Sequence, residues 1–343
     1  MTILTKLTQK DFEEILLRYS IGKYKAHEHI SYALQNTVFI LNTTKGKYVL
    51  KIFEKSEADF VKFQIRITDY LYHKKVPVAR IVKLKNGRNL LMYRNKLMAI
   101  QKFVGGNPAK KLNKELAGNL AKNLALMSKH LLKLKLKGIF MWSNDHEFET
   151  NTDIENIEKV NFVGYEKKLL EEIGKLDRNN LRRSVIHGDF HEMNLLTENN
   201  ELRAIIDWDD AHEDYISYEI AVYLVSYFDA VSIKRSKEYI ELFFKEFQRY
   251  IKLNEEEIKA VYYFMKQRLI GVIFWHQNQK KIHKNFEKRL DRSMKKLITR
   301  YVALENITLD EFMQLAERKS TSQKHHRAEL KNKKNLYSVI VQD

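Results

Sequence analysis

VIHGDFHEMNLL, residues 185–196, sets two histidines, an aspartate, a glutamate and an asparagine between apolar, strand-like ends. A plain connection between strands needs only turn formers, so this density of titratable and amide groups marks a loop built to hold something. Asp189 and Asn194 are five residues apart, and a second acid, Asp207, follows 18 residues after Asp189 at the end of the apolar run AII (204–206). Turn residues lie midway between them, so a hairpin returns Asp207 to the neighbourhood of Asp189 and Asn194. Two carboxylates and an amide oxygen then share one pocket. Hard oxygen donors of that kind suit Mg²⁺ that also touches phosphates. Phosphoryl transfer requires such a site, with one carboxylate left to orient the attacking hydroxyl and accept its proton.

Upstream of this loop the pattern is β-rich. Residues 8–20 read as a short helix with Phe12, Ile15, Leu16 and Tyr19 on one face. NTVFILN (36–42), TTKG (43–46) and KYVLKIF (47–53) read as a hairpin, and a helix follows over about 57–73. KNGRNLLMY (85–93) and KLMAIQKFV (96–104) form another strand pair, and GGNP (105–108) is the clearest break in the chain. Beyond it, Leu112, Leu116, Leu120, Leu124, Met127, Leu131 and Leu134 recur at helical spacing, with Asn113 as cap and Gly138 as stop. Residues 160–182 read as a further helix, and from Tyr215 to about Leu315 the chain is again helical. Strand alternation puts Lys51 on one face with Val49 and Phe53. A solvated face explains it simply; a kinase uses a lysine on such a strand to hold α- and β-phosphates.

Composition bounds the rest. The chain has 343 residues, 44% hydrophobic, enough for two lobes with a sizeable core. It has no cysteine, which excludes disulfides and thiolate metal sites. Net charge is +17, which solvated Lys-rich helix faces explain first and anionic partners second. The N-terminus MTILTKLTQKDFEE lacks the apolar core of a signal peptide, and no run reaches the roughly 20 apolar residues of a membrane span, so the expectation is a cytoplasmic protein without a membrane partner. Residues 318–343 begin with a basic stretch without apolar periodicity, read as a mobile tail rather than a nucleic-acid arm.

HGDFHEMN followed by IIDWDDA resembles the aminoglycoside phosphotransferase and choline kinase-like superfamily, and LQNTVFILNTTKGKYVLKIFE and YHKKVPVARIV are similar to its homoserine kinase-type branch. The resemblance spans roughly residues 25–230. It implies an α+β, protein kinase-like fold of two lobes: a β-rich nucleotide-binding lobe over 1–104, a helical lobe with the catalytic hairpin over 105–317, and the tail. It implies an ATP-dependent small-molecule kinase that phosphorylates a substrate hydroxyl. Asp189 would be the catalytic base, His187 a brace for its loop, Asn194 and Asp207 the Mg²⁺ ligands, and Lys51 the holder of the ATP phosphates. Backbone groups near Gln101 and Phe103 would bind adenine. Asp209 and Asp210 would face the substrate site or form its floor.

Such folds pair the strand lysine with a glutamate on the following helix. Here Gln64 takes that place, facing inward with Phe60, Ile67 and Leu71, and Glu57 lies two turns earlier on the same face. Both stand as partners for Lys51. With a Gly-free loop at SYALQN (31–36), this sets a second reading beside the enzyme: a catalytically weak or silent kinase-like protein that binds nucleotide or a partner. A metallohydrolase reading of His191 and Glu192 lacks a second ligand set. Trp142, Asp145, His146, Glu147 and Glu149 either line the substrate pocket or form a surface loop, and DDAHED (209–214) either attracts a cationic acceptor or is solvated.

Overall fold

The computed structural model describes residues 5–30, 36–54, 56–135, 162–282 and 287–317. Trp142 and its acidic neighbours, Gly138, residues 31–35 and the basic tail lie outside the described residues.

The N-terminal half is organised by the two faces of one antiparallel sheet. Strands β2 (Thr37–Thr43) and β3 (Gly46–Phe53) form the expected hairpin, with Thr43 opposite Gly46. Strands β1 (Tyr24–His29), β4 (Ile81–Val82) and β6 (Lys96–Lys102) extend it to the order β1-β2-β3-β6-β4, and β5 (Leu91–Tyr93) also pairs with β6. Leu50 and Ile52 of β3 join Phe39, Leu41, Met98 and Ile100 on the face covered by helix α1 (Gln9–Leu16), whose Phe12, Ile15 and Leu16 fill that core. Thr8 and Asp11 close a reciprocal capping box that starts α1. The opposite face carries Phe53 and Ala99 beneath Val61 and Ile65 of helix α2 (Ala58–His73). Because side chains alternate across a strand, Lys51 falls on this second face, its ammonium 5.5 Å from the Phe53 ring.

The chain crosses to the helical half at Gly105 and Gly106, then pairs as β7 (Asn107–Pro108) with β9 (Leu195–Glu198). Gly106 has φ +133°, and a Cβ there would meet the β9 backbone at 3.2 Å, so the crossing depends on glycine. A second tie joins the halves where Ile205 N donates to Pro77 O at 2.8 Å. The apolar core does not divide at this crossing: Phe63, Ile67 and Leu71 of α2 pack with Leu116, Leu120 and Leu124 of α3 (Lys114–Leu131) in the C-terminal core. That core is completed by α4 (Phe162–Gly174), α5 (Ile216–Ser226), α6 (Ile233–Phe247), α7 (Glu255–Ile282), α8 (Glu287–Leu304) and α9 (Leu309–Glu317).

The helix expected over 160–182 is shorter. It ends at Gly174, and Asp177 accepts from Asn179 N to form a 3₁₀ turn over Arg178–Asn180 before strand β8 (Arg183–Ile186). Asp side chains compete with helical bonding in this way, and the apolar periodicity of the segment did not register it. Strands β9 and β10 (Glu201–Ile205) form the polar hairpin, turning through Asn199 and Asn200, both at positive φ, as a two-residue turn demands. Strand β11 (His212–Tyr215) pairs back with β8.

Candidate active site

The loop that leaves β8 is fixed by three buried contacts. The His187 ring is fully buried; its Nδ1 accepts from Asp189 N at 3.2 Å and its Nε2 lies 3.0 Å from Ile206 O. An amide hydrogen pointing at Nδ1 requires a bare nitrogen there, so the proton is on Nε2 and the ring is neutral. Burial pushes His187 down to about 4, against the charge of Asp189, which keeps this tautomer at neutral pH. Gly188 has φ +76°, and a Cβ there would fall 2.4 Å from Asp210 O. Gly188 N donates to Glu219 Oε2 at 2.9 Å. Glu219 is the one carboxylate in the buried helix α5, and burial pushes it up to about 7 in spite of the Gly188 amide. The loop therefore rests on an imidazole that is uncharged at neutral pH and on a carboxyl poised near neutrality.

This scaffold presents Asp189 to the cleft. Its Oδ1 accepts from Arg268 Nη2 at 2.5 Å, and its Oδ2 lies 3.0 Å from His191 Nε2 and 2.9 Å from Asn194 Nδ2. Met193 N donates to His191 Nδ1, so His191 carries its proton on Nε2 and donates it to Asp189. Burial works to raise Asp189, but the His191 bond and the Arg268 charge outweigh it and hold the carboxyl well below the usual range. Arg268, on α7, was invisible to the sequence reading. Its only signal is a cation among the buried Phe264, Met265, Leu269 and Ile270 of that helix.

Opposite Asp189, Asp207 adopts φ +62°, a left-handed conformation that turns its half-exposed carboxylate into the cleft. Its Oδ1 is 3.1 Å from Lys51 Nζ, and the lysine charge lowers its pKa. Ile206 N donates to Asn194 O, so the two segments are bonded side by side. The Asn194 side-chain nitrogen is turned to Asp189, which leaves its oxygen as the atom able to ligate a metal ion. Amide and carboxylate oxygens fit a hard dication. Among the described residues no three carboxylates or imidazoles converge as a stand-alone metal site needs.

Lys51 reaches across the cleft to two carboxylates, Asp207 and, at 2.6 Å, Asp209 Oδ1. Gln64 is buried and faces inward, but its Nε2 has no hydrogen-bond partner, and Glu57 is the exposed N-cap of α2. Neither is bonded to Lys51. Asp210, expected to face the site or form its floor, is solvent-exposed. Gln101 is paired between β3 and β4, and Phe103 N already donates to Lys47 O at 3.2 Å, so a base docking at this crossing meets carbonyls or displaces that bond.

A β lobe with an inward lysine, a helical lobe with a braced aspartate, and an oxygen-donor pair between them define a kinase-like phosphotransferase. The chain belongs to the phosphotransferase enzyme family, whose model matches residues 29–252. The homoserine kinase of Bartonella tribocorum is 25% identical over 232 residues, covering 65% of this chain and 72% of that one. The homoserine kinase of Nitrobacter hamburgensis is 26% identical over 229 residues, covering 65% and 70%. Among solved structures, an amicoumacin kinase bound to AMP-PNP and Ca²⁺ is similar with a TM-score of 0.69 at 16% identity, covering 89% of this chain and 95% of that one. A microcompartment-associated aminopropanol kinase gives 0.69 at 15% identity, covering 88% and 98%. These structures share the two-lobe fold. Family and site together make this chain an ATP-dependent kinase of small molecules. No helix of the described residues is long and apolar enough to cross a membrane.

Proposed function

We propose that this chain transfers the γ-phosphoryl group of ATP, bound with Mg²⁺, to the hydroxyl of a small amino alcohol or hydroxy amino acid. The observation that carries the reading is the bonded set Lys51–Asp207 and Asp189–Asn194, closed into one cleft by the Ile206–Asn194 hydrogen bond. Homoserine kinases among the relatives and an aminopropanol kinase among the similar folds support the acceptor class. The carboxylates Asp207, Asp209 and Asp210 at the cleft favour an acceptor that carries an ammonium group.

Asn194 and Asp207 would hold the Mg²⁺, which neutralises phosphate oxygens when bound. Lys51 binds the phosphates from the sheet side. Asp189 accepts a hydrogen bond from the acceptor hydroxyl and aims its oxygen at the γ-phosphorus. With a depressed pKa, Asp189 is a weak base and acts mainly by orientation. It takes the proton late, as the new O–P bond makes the hydroxyl acidic, and ADP leaves with the bridging oxygen. The test is phosphate transfer from Mg·ATP to homoserine, aminopropanol, aminoglycosides and simple sugars, with Asp189→Asn as control. Transfer that survives in Asp189→Asn would remove Asp189 from this role.

A further inference from the structure

Kinase-like folds align the strand lysine with a glutamate from the helix beside it, so that pair lies within one lobe. Among the described residues there is no such pair: Gln64 is neutral with an unpartnered Nε2, and Glu57 is exposed at the helix start. Lys51 is nevertheless held. Asp209 Oδ1 is 2.6 Å from its ammonium, closer than Asp207 at 3.1 Å. Asp209 is itself oriented, because its Oδ2 accepts from Asn36 Nδ2 at 2.6 Å. Asn36 in turn is fixed to the end of β3, where its Oδ1 accepts from Glu54 N at 3.0 Å. The Asp209 and Lys51 side chains are only 13% and 15% exposed, while that of Asp207 is 52% exposed, so Asp209 is the shielded partner.

We propose that Asp209 is the positioning residue for Lys51, taking the part of the missing helix carboxylate from the opposite lobe. The inference rests on the phosphotransferase reading and deepens it. An oxygen of Asp207 committed to Mg²⁺ is a poorer partner for a lysine, and Asp209 keeps Lys51 aimed at the phosphates when that happens. Because Lys51 lies in the sheet, Asn36 immediately before its strand β2, and Asp209 in the helical half, the ammonium is aligned only when the cleft is closed. Lysine alignment and lobe closure are then one event, whereas a within-lobe pair separates them. Gln64 needs no charge under this arrangement, so its presence does not argue for a silent protein.

The experiment is equilibrium binding of Mg·ADP and of adenosine, by calorimetry, to wild type, Asp209→Asn, Asp209→Glu and Asn36→Ala, together with KM for ATP. Asp209→Asn is expected to weaken Mg·ADP about tenfold, the scale of one charge-assisted hydrogen bond. Adenosine affinity and the Mg²⁺ concentration for half-saturation should stay at the wild-type value, and the rise in KM for ATP should exceed the fall in kcat. Asp209→Glu should recover part of the loss. Asn36→Ala, which unties the carboxylate but keeps its charge, should give a smaller one. Equal losses for adenosine and Mg·ADP would make Asp209 a lobe-packing residue and overturn the inference. A shifted Mg²⁺ requirement would make it a metal ligand and overturn it too, as would an unchanged Mg·ADP affinity. Wild type that binds no Mg·ADP would sink the phosphotransferase reading and this inference with it.

Discussion

Replacing Glu219 by Gln removes one of two buried titrations that oppose each other beneath the catalytic loop. Glu219 ionises near 7 in the folded protein against an ordinary 4.5, because burial disfavours its charge. The folded state therefore binds a proton that the unfolded state has lost. That stabilisation is complete below pH 4.5 and disappears as pH rises through about 7. At about 1.4 kcal/mol per pKa unit, the gap is worth roughly 3 kcal/mol. His187 runs the other way. Its folded pKa of about 4 lies below the ordinary 6.5, so its stabilisation is complete above 6.5 and is lost as pH falls toward 4. The two slopes nearly cancel between about pH 4.5 and 6.5 in wild type. Urea denaturation of ligand-free wild type and Glu219→Gln, taken at intervals from pH 4.5 to 7.5, reads the difference directly, since all other titrations subtract out. Wild type should gain about 3 kcal/mol on the variant as the pH drops across that range. A difference that stays constant with pH would show that Glu219 titrates as an ordinary carboxylate and that the loop does not rest on it as argued.

Two further outcomes follow from named contacts. Arg268→Ala removes the charged donor from Asp189 Oδ1 and should lower turnover about 10- to 100-fold, matching the 1.5–3 kcal/mol of a charge-assisted hydrogen bond, with Mg·ADP affinity held; turnover within about twofold of wild type would deny Arg268 any hold on the base. Glu257, fully buried at the start of α7, takes both Nε and Nη2 of Arg182 and caps its own helix through Asn254; Glu257→Ala should cost about 3 kcal/mol in chemical denaturation, and a loss below about 1 kcal/mol would mean the pair is dispensable.

The parts of the site that lie close in sequence were legible. His187, Asp189 and Asn194 share one loop, and the turn residues of the hairpin announce its return to Asp207. What escaped depends on distance or on missing contrast. Arg268 meets Asp189 across 79 positions, and among 61 basic residues a single one carries no mark until its helix is known to be buried. Glu219 offered a faint signal, one carboxylate in the apolar run ISYEIAVYLVS. Strand β1, YKAHEH, went unread because an edge strand exposed along most of its length has no apolar face to alternate with. The sequence points to α2 for the partner of Lys51 and to Asp209 for the substrate side of the site, and the 2.6 Å contact between Lys51 and Asp209 joins residues 158 positions apart that no local pattern connects.

The crossing at Gly105 and Gly106 divides the polypeptide more cleanly than it divides the apolar core. Helix α2 gives Val61 and Ile65 to the sheet but Phe63, Ile67 and Leu71 to the helical half. A fragment ending at residue 104 would therefore carry an open apolar stripe, and the complementary fragment would carry the matching groove lined by Leu116, Leu120 and Leu124. Each piece hides what the other exposes. The glycine pair is thus a break in the path of the chain but not in its interior, and neither side of it closes its own apolar surface.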